Sequence, residues 1–345
     1  MAMNLLHREL LDVLEEYHSL GIAEQIDYDK FYLYSLITHS TAIEGSTVTE
    51  IENQLLFDEG ISVKGRSIRE QMMNLDLKKA YEYSLELAKQ HRDFSVDMLR
   101  ELSSIVMKNT GGIYNTSLGT FDASHGDLRL VNVSAGIGGK SYLDFHKVPA
   151  YLVEYCDDMN RLRKAIMHEN NIVKQYLLSF DAHFRLVTIH PWVDGNGRMS
   201  RLIMNHIQFE CGLVPTKVNK EDKAEYISVL IASREIDSTE PFQRFMFTEH
   251  IKNLRGEIEE YKKTQGGQKN EKVDRKGGQK TSEAILNLIA SDEKITTTEM
   301  AKRIGINRSA ISKHLKRLKA EGILHRIGPD KGGRWEVVVE GRRLQ

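Results

Sequence analysis

The chain has 345 residues, enough for two or three domains, and its 40% hydrophobic and 8% aromatic content can build ordinary globular cores. The formal net charge of −1 hides an asymmetry: residues 262–345 carry twenty Lys and Arg against ten Asp and Glu, and the remainder twenty-eight against thirty-nine. Two cysteines without a CxxC argue against a disulfide framework, and no apolar run nears the ~18 residues that span a bilayer. The opening MAMNLLHREL lacks an apolar core behind a basic segment, so a soluble cytoplasmic protein is expected.

Residues 1–110 read as helices. LLHRELLDVLEEYHSL repeats Leu6, Leu10, Val13 and Leu14 before Gly21; FYLYSLITHSTAIEGS runs to Gly45; SIREQMMNLDLKKAYEYSLELAK repeats Ile68, Met72, Leu75, Leu77 and Tyr81. Residues 111–147 are rich in Gly, Ser and Asp. Their β-favouring pieces LRLVNV and SYLDF suggest a hairpin over 128–145 with its turn in SAGIGGK. Helices resume at VPAYLVEYCDDMNRLRKAI. NIVKQYLLSFDAHFRLVTI follows, with Val173, Tyr176, Leu177, Phe180, Phe184 and Val187 at helical spacing and Pro191 as a stop. RMSRLIMNHIQFECG should start a helix near Arg198. Residues 262–280, polar and with two Gly-Gly pairs, read as a flexible linker.

Between those last two central helices lies HPWVDGNGRMSR, residues 190–201. Gly195 and Gly197 permit positive φ and leave no Cβ against a ligand. A glycine-rich turn entering a helix N-terminus aims unpaired N–H groups into one concavity suited to phosphate. Arg198 and Arg201, three apart, share a helix face and can grip successive phosphates. Asp194 makes sense as a ligand for Mg²⁺ bridging those oxygens, and His190 as a general base. His183, seven residues earlier, is expected to be a packed, hydrogen-bonded helix histidine.

The stretch resembles the motif HPFxDGNGRxxR of the Fic (filamentation induced by cAMP) family, with Trp192 in place of Phe. The resemblance extends over about residues 28–250. It implies a mainly α fold, a Fic-type helical bundle with a small β-hairpin flap, and transfer of AMP from ATP to a Ser, Thr or Tyr hydroxyl of a target protein. Carried over by position, His190 would deprotonate the hydroxyl and Asp194 would hold Mg²⁺. Gly195, Asn196 and Gly197 would cradle the α- and β-phosphates, Arg198 would support them, Arg201 would take the γ-phosphate, and Tyr226 would line the adenine pocket. The hairpin over 128–145 would be the flap, although the usual basic residue after GTF is here Asp122. A homodimer is compatible with the family.

STAIEG, Ser40 to Gly45, ends a helix with a glutamate, which the dipole disfavours there unless a cation meets it. The stretch resembles the family's inhibitory motif [S/T]xxxE[G/N], matched by Ser40, Glu44 and Gly45. The resemblance implies that Glu44, on an inhibitory helix near 31–45, pairs with Arg201 and restrains transfer. In some members this glutamate assists removal of AMP instead, and other members use other donors; the sequence leaves these alternatives open. A transcriptional regulator that only senses ATP is another reading, and an intact His190 argues against it.

In TTTEMAKRIGINRSAISKHLKRLKAEGILHRIGPDKGGRWEVV, Thr297 or Thr298 should cap a helix with Met300, Ala301 and Ile304 inward. A second helix carries Ile311, Leu315 and Leu318, and two strands flank PDKGG. The pattern resembles a winged helix-turn-helix. Its outward Arg308, Ser309, Ser312, Lys313 and Lys316, with Lys331 and Arg334 in the wing, would meet duplex DNA; protein contact is the alternative. The expected organisation is 1–110 N-terminal helical, 111–261 catalytic core, 262–280 linker and 281–345 winged helix.

Overall fold

The computed structural model describes the chain except residues 1, 26, 136–139, 168, 305–310, 313, 316–317, 320–322, 328–333 and 338–345, and the side chains of 2 and 265–284. It divides into two compact units, Met1–Glu259 and Glu260–Gln345. The fold is mainly α, with two small antiparallel hairpins.

The first unit contains α1 (Ala2–Ser19), α2 (Tyr28–Ile43), α3 (Glu50–Gln54), α4 (Ile68–Lys89) and α5 (Val96–Met107). After a hairpin, β1 (Ile113–Thr116) and β2 (Gly119–Asp122), come α6 (Val148–Met167), α7 (Ile172–Ile189), α8 (Asn196–Glu210) and α9 (Lys223–Glu235). The helix starts follow cap chemistry. Thr49 with Glu52 and Ser67 with Glu70 form reciprocal capping boxes, and Ser95 and Asn171 accept from the third residue of α5 and α7. On α4 the buried face is Met73, Leu77, Ala80 and Tyr81; Ile68, expected inward, is 75% exposed.

α7 and α8 pack on each other, α8 on α4, and α4 on α5. α8 lies at the centre and is buried from Arg198 through Gln208. Its polar residues survive there because each has partners. Asn205 Nδ2 donates to Gln208 Oε1 and to the Thr216 carbonyl, both at 3.0 Å, and Asn205 Oδ1 accepts from the Tyr81 hydroxyl at 2.7 Å. Gln208 Nε2 donates to Ser179 Oγ and Thr216 Oγ1, each at 2.9 Å.

A second buried network seats the end of α2. Thr41 Oγ1 donates to Asn74 Oδ1 at 2.8 Å, and Asn53 Nδ2 donates to Thr38 Oγ1 at 2.7 Å and Asn74 Oδ1 at 2.9 Å. Asn74 Nδ2 in turn donates to Ser46 Oγ at 3.0 Å and to the Glu70 carbonyl at 2.8 Å.

The hairpins correct one expectation. β1 pairs with β2 from Ile113↔Asp122 to Thr116↔Gly119, in a stretch that lies before the expected hairpin. Thr116 Oγ1 closes the turn between them by accepting from Leu118 N–H and donating to the Gly119 carbonyl. Among its described residues, segment 128–145, expected to be a hairpin, pairs with itself over a short stretch: Ser134 and Ser141 form an isolated bridge, flanked by Tyr142 N–H to the Val133 carbonyl at 3.0 Å and Ala135 N–H to the Lys140 carbonyl at 3.3 Å. At the base of this pairing the Val131 and Leu143 carbonyls accept from the Arg129 guanidinium.

In the chain, α10 spans Glu240–Ser291 and so runs through residues 262–280, expected to be a flexible linker. Lys, Gln and Glu are good helix formers, and glycine costs only about 1 kcal/mol per residue in a helix. The second unit further contains α11 (Thr297–Ile304), β3 (Leu324–Ile327) and an antiparallel β4 (Arg334–Val337). Its core gathers Met300, Ile311, Leu315, Leu318, Leu324 and Trp335. The cap of α11 is Thr296, paired reciprocally with Glu299, rather than Thr297 or Thr298. Among the described residues, no helix is long and apolar enough to cross a membrane.

Burial pushes the imidazoles of His206 and His250 down to about 3, so both are neutral in the fold. Unfolding returns them to about 6.5. Their contribution to stability is therefore complete above that value and drains as pH falls from about 6.5 toward about 3. Urea titrations should show unfolding free energy falling from about pH 6.5 to about pH 5, by up to about 1.4 kcal/mol per pH unit for each histidine. A flat profile over that range would contradict the assignment.

Candidate active site

α7 ends at Ile189, and His190 takes φ 53° and ψ 60°, the left-handed region, as its C-cap. His190 Nδ1 lies 3.1 Å from the Val187 carbonyl, which only accepts, so Nδ1 carries the proton and Nε2 keeps its lone pair. Burial, aided by the charges of Arg129 and Arg234, pushes this imidazole down to about 4, against the Val187 bond and Asp194, which act upward. His190 is thus neutral and able to accept a proton across the physiological range.

The loop after it is fixed by its own side chains. Trp192 is 1% exposed, and its indole N–H donates to the Gly126 carbonyl at 3.2 Å. Asn196 closes the loop by accepting from Trp192 N–H at 3.1 Å and donating to the Trp192 carbonyl at 2.8 Å. Its amide side chain is therefore committed to the loop, which leaves the main chain to face an anion. Gly195 has φ 82°, and a Cβ there would stand 2.7 Å from Met107 Sδ. α8 begins at Asn196, two residues earlier than expected, so its first-turn N–H groups open beside this loop.

Arg198 is 2% exposed. Its guanidinium reaches the Val106 carbonyl at 3.4 Å and Met107 Sδ at 3.1 Å, and its Nε has no hydrogen-bond partner among the described residues. Asp194 stands 3.8 Å away, half-exposed, with Oδ1 accepting from Gly195 N–H at 2.6 Å.

Arg201 is held on every side. Its Nε donates to Ser40 Oγ at 2.8 Å, and Nη2 donates to the Ser40 carbonyl at 2.9 Å and to Glu44 Oε1 at 2.6 Å. Burial alone would push the Glu44 carboxyl up, but Arg201, with Arg198 and Lys223, holds it below its ordinary value. Gly45, at φ 102°, ends the helix behind Glu44. A Cβ on Gly197 would stand 2.5 Å from Glu44 Oε1, so the carboxylate rests directly on the glycine loop.

Tyr226, expected to line an adenine pocket, is 1% exposed and sits behind Arg201 instead. Its oxygen accepts from Arg201 Nη1 at 3.4 Å, so its O–H donates to His183 Nε2 at 2.8 Å. His183 is the packed, bonded histidine its sequence position suggested. Of the expected DNA contacts, Ser312 and Arg334 are exposed; Arg308, Ser309, Lys313 and Lys316, and Lys331 of the wing, lie outside the described residues.

Three side chains at this site were not anticipated. Arg129, 1% exposed, donates from Nε to the His190 carbonyl at 2.7 Å. The Tyr142 ring stacks on the imidazole at 3.7 Å and 18°, and the Arg234 guanidinium lies 4.1 Å from the centre of the Tyr142 ring. The only hint in the sequence was a charged residue interrupting the apolar run LRLV.

The Fic/DOC family profile matches residues 93–208, from the start of α5 through the loop and most of α8. The chain carries a Fic domain. A winged helix-turn-helix DNA-binding profile matches residues 279–325. The chain is 27% identical over 222 residues to protein adenylyltransferase fic-1 of Caenorhabditis briggsae, covering 63% of this chain and 39% of that protein. It is 27% identical over 246 residues to protein adenylyltransferase Fic of Drosophila grimshawi, covering 69% and 45%. The chain thus spans less than half the length of these curated relatives. Among solved structures, a fragment of Fic-1 from C. elegans superposes with a TM-score of 0.59 at 21% identity, covering 76% of this chain and 74% of that one. A Fic family protein from Desulfovibrio desulfuricans superposes with a TM-score of 0.54 at 19% identity, covering 97% of each chain. These two establish the shared Fic fold.

Proposed function

We propose that the chain is a protein adenylyltransferase that moves AMP from ATP to a Ser, Thr or Tyr hydroxyl of a target protein, restrained by Glu44. The observation that carries this reading is a buried guanidinium, Arg198, with an unpartnered Nε, on the same loop as an imidazole whose Nε2 is a bare acceptor. A buried cation short of acceptors suits an anionic ligand. The first turn of α8 adds main-chain donors and the dipole's positive end.

In the proposed reaction, His190 Nε2 takes the proton of the target hydroxyl and the freed oxygen attacks the α-phosphorus. The bond from that phosphorus to the bridging oxygen breaks, and pyrophosphate leaves. The loop and Arg198 orient the triphosphate and offset charge where it grows, the terms that dominate phosphoryl-type transfer. The residues present fit Mg²⁺ only as a shared ligand. Asp194 offers one half-exposed carboxylate, and among the described residues no cluster of three ligating side chains exists. An ion there would be held largely by the substrate's own oxygens and would neutralise them.

Glu44 restrains the reaction in this reading because it occupies Arg201, the guanidinium assigned to the γ-phosphate, and sets a carboxylate against Gly197. For the C-terminal unit, the net positive charge and the winged helix-turn-helix match support duplex DNA as a partner.

With labelled ATP and host lysate, Glu44→Gly should raise AMP transfer about 10- to 100-fold, the equivalent of one charge-assisted hydrogen bond. No gain over a panel of proteins and divalent metals would count against the restraint. Added to that variant, His190→Ala should lower transfer by about 10²- to 10⁴-fold while ATP binding persists; full activity would refute the base assignment. Duplex DNA should bind the full chain with an affinity that falls steeply as salt rises, and absence of binding at every salt concentration would leave protein contact as the role of the winged helix.

A further inference from the structure

His190 holds a backbone conformation that a non-glycine residue adopts at a cost of about 1–3 kcal/mol, so its surroundings must enforce it. The main chain supplies one bond, His190 N–H to the Leu186 carbonyl at 3.0 Å. The rest comes from Arg129. Its Nε donates to the His190 carbonyl at 2.7 Å, and its own N–H donates to the next carbonyl, Pro191, at 3.1 Å. The same guanidinium sends Nη1 to the Val131 carbonyl at 2.8 Å and Nη2 to the Leu143 carbonyl at 2.5 Å.

Arg129 is therefore a buried cation whose three hydrogen-bond acceptors are all carbonyls, from three separate stretches of chain. Among the described residues no carboxylate lies within ion-pair distance of it. An aliphatic side chain would fill the same space without the cost of desolvating a charge. It could not join the three carbonyls, which a planar fork of donors does. Leu143 follows Tyr142, whose ring covers one face of the imidazole, with Arg234 on the ring and donating to the Ser141 carbonyl at 3.2 Å. One side chain thus grips the backbone of the imidazole-bearing residue and the segment that carries its aromatic cover.

We propose that Arg129 is a positioning residue for His190: its guanidinium ties the Val131 and Leu143 carbonyls to the His190–Pro191 backbone and so sets the direction in which Nε2 points. The assignment of a reaction to His190 rests on the adenylyl-transfer reading above; the tether itself does not. The charge of Arg129 also disfavours a second positive charge on the imidazole, together with Arg234 and against Asp194.

The test uses the full chain in the Glu44→Gly background with ¹³C-labelled histidine, the His190 signal being assigned by its loss in His190→Gln. Arg129→Met should lower kcat about 10²-fold while KM for ATP stays within about twofold, as expected of a misplaced reactive group. In the same protein the His190 resonance should move or broaden, and its titration midpoint should rise. Arg129→Lys keeps the charge without the fork, so kcat should fall nearly as far while the midpoint stays low; it also carries the test if the methionine variant fails to fold. A folded Arg129→Met protein with unchanged kcat, or with an unchanged His190 resonance, would overturn the proposal. If the resonance responds but no variant or parent transfers AMP, the tether stands and the adenylyl-transfer reading falls.

Discussion

The organisation of the first unit rests on one ion pair, between a buried guanidinium, Arg201, and a partly exposed carboxylate, Glu44. Arg201 sits in the middle of the central helix, 3% exposed, and a guanidinium there must find acceptors or cost several kcal/mol. It finds them on α2, in Ser40 Oγ, the Ser40 carbonyl and Glu44 Oε1, and behind it in Tyr226. Without Glu44 the guanidinium would keep Ser40 and Tyr226 as acceptors but lose its only carboxylate contact among the described residues, so the pair acts more as a constraint on geometry than as a source of net stability. It dictates where the N-terminal helices must lie and places a carboxylate at the glycine loop.

The loop itself was readable because its chemistry is local. An imidazole, an aspartate, two glycines with an asparagine between them, and two arginines stand within twelve positions, so their grouping is visible without the fold. The pairing of Glu44 with Arg201 was legible only through resemblance, since the two lie 157 residues apart and composition cannot join such distant positions. The central helix was visible from its apolar spacing, but not that it would be buried on all sides. That follows from polar pairs such as Asn205 with Tyr81, whose complementarity exists only once the helices meet.

Arg129, Tyr142 and Arg234 were invisible for a different reason. A cation satisfied by carbonyls has no charged partner to search for, and a carbonyl belongs to every residue. In the expected hairpin over 128–145 the described pairing is short, Val133 to Ala135 against Lys140 to Tyr142, and the same side chain bonds the carbonyls beside it. Tyr226 was misplaced because an aromatic near a nucleotide motif suggests stacking, whereas burial and a neighbouring arginine turned its hydroxyl into a strut.

The network of Thr38, Thr41, Ser46, Asn53 and Asn74 bears on how Glu44 could part from Arg201. Lifting the end of α2 would strand these buried groups at about 1–3 kcal/mol each. Turning the Glu44 side chain alone gives up a single carboxylate contact and leaves the helix seated. Parting the two thus calls for a rotamer change at one residue rather than movement of the helix end.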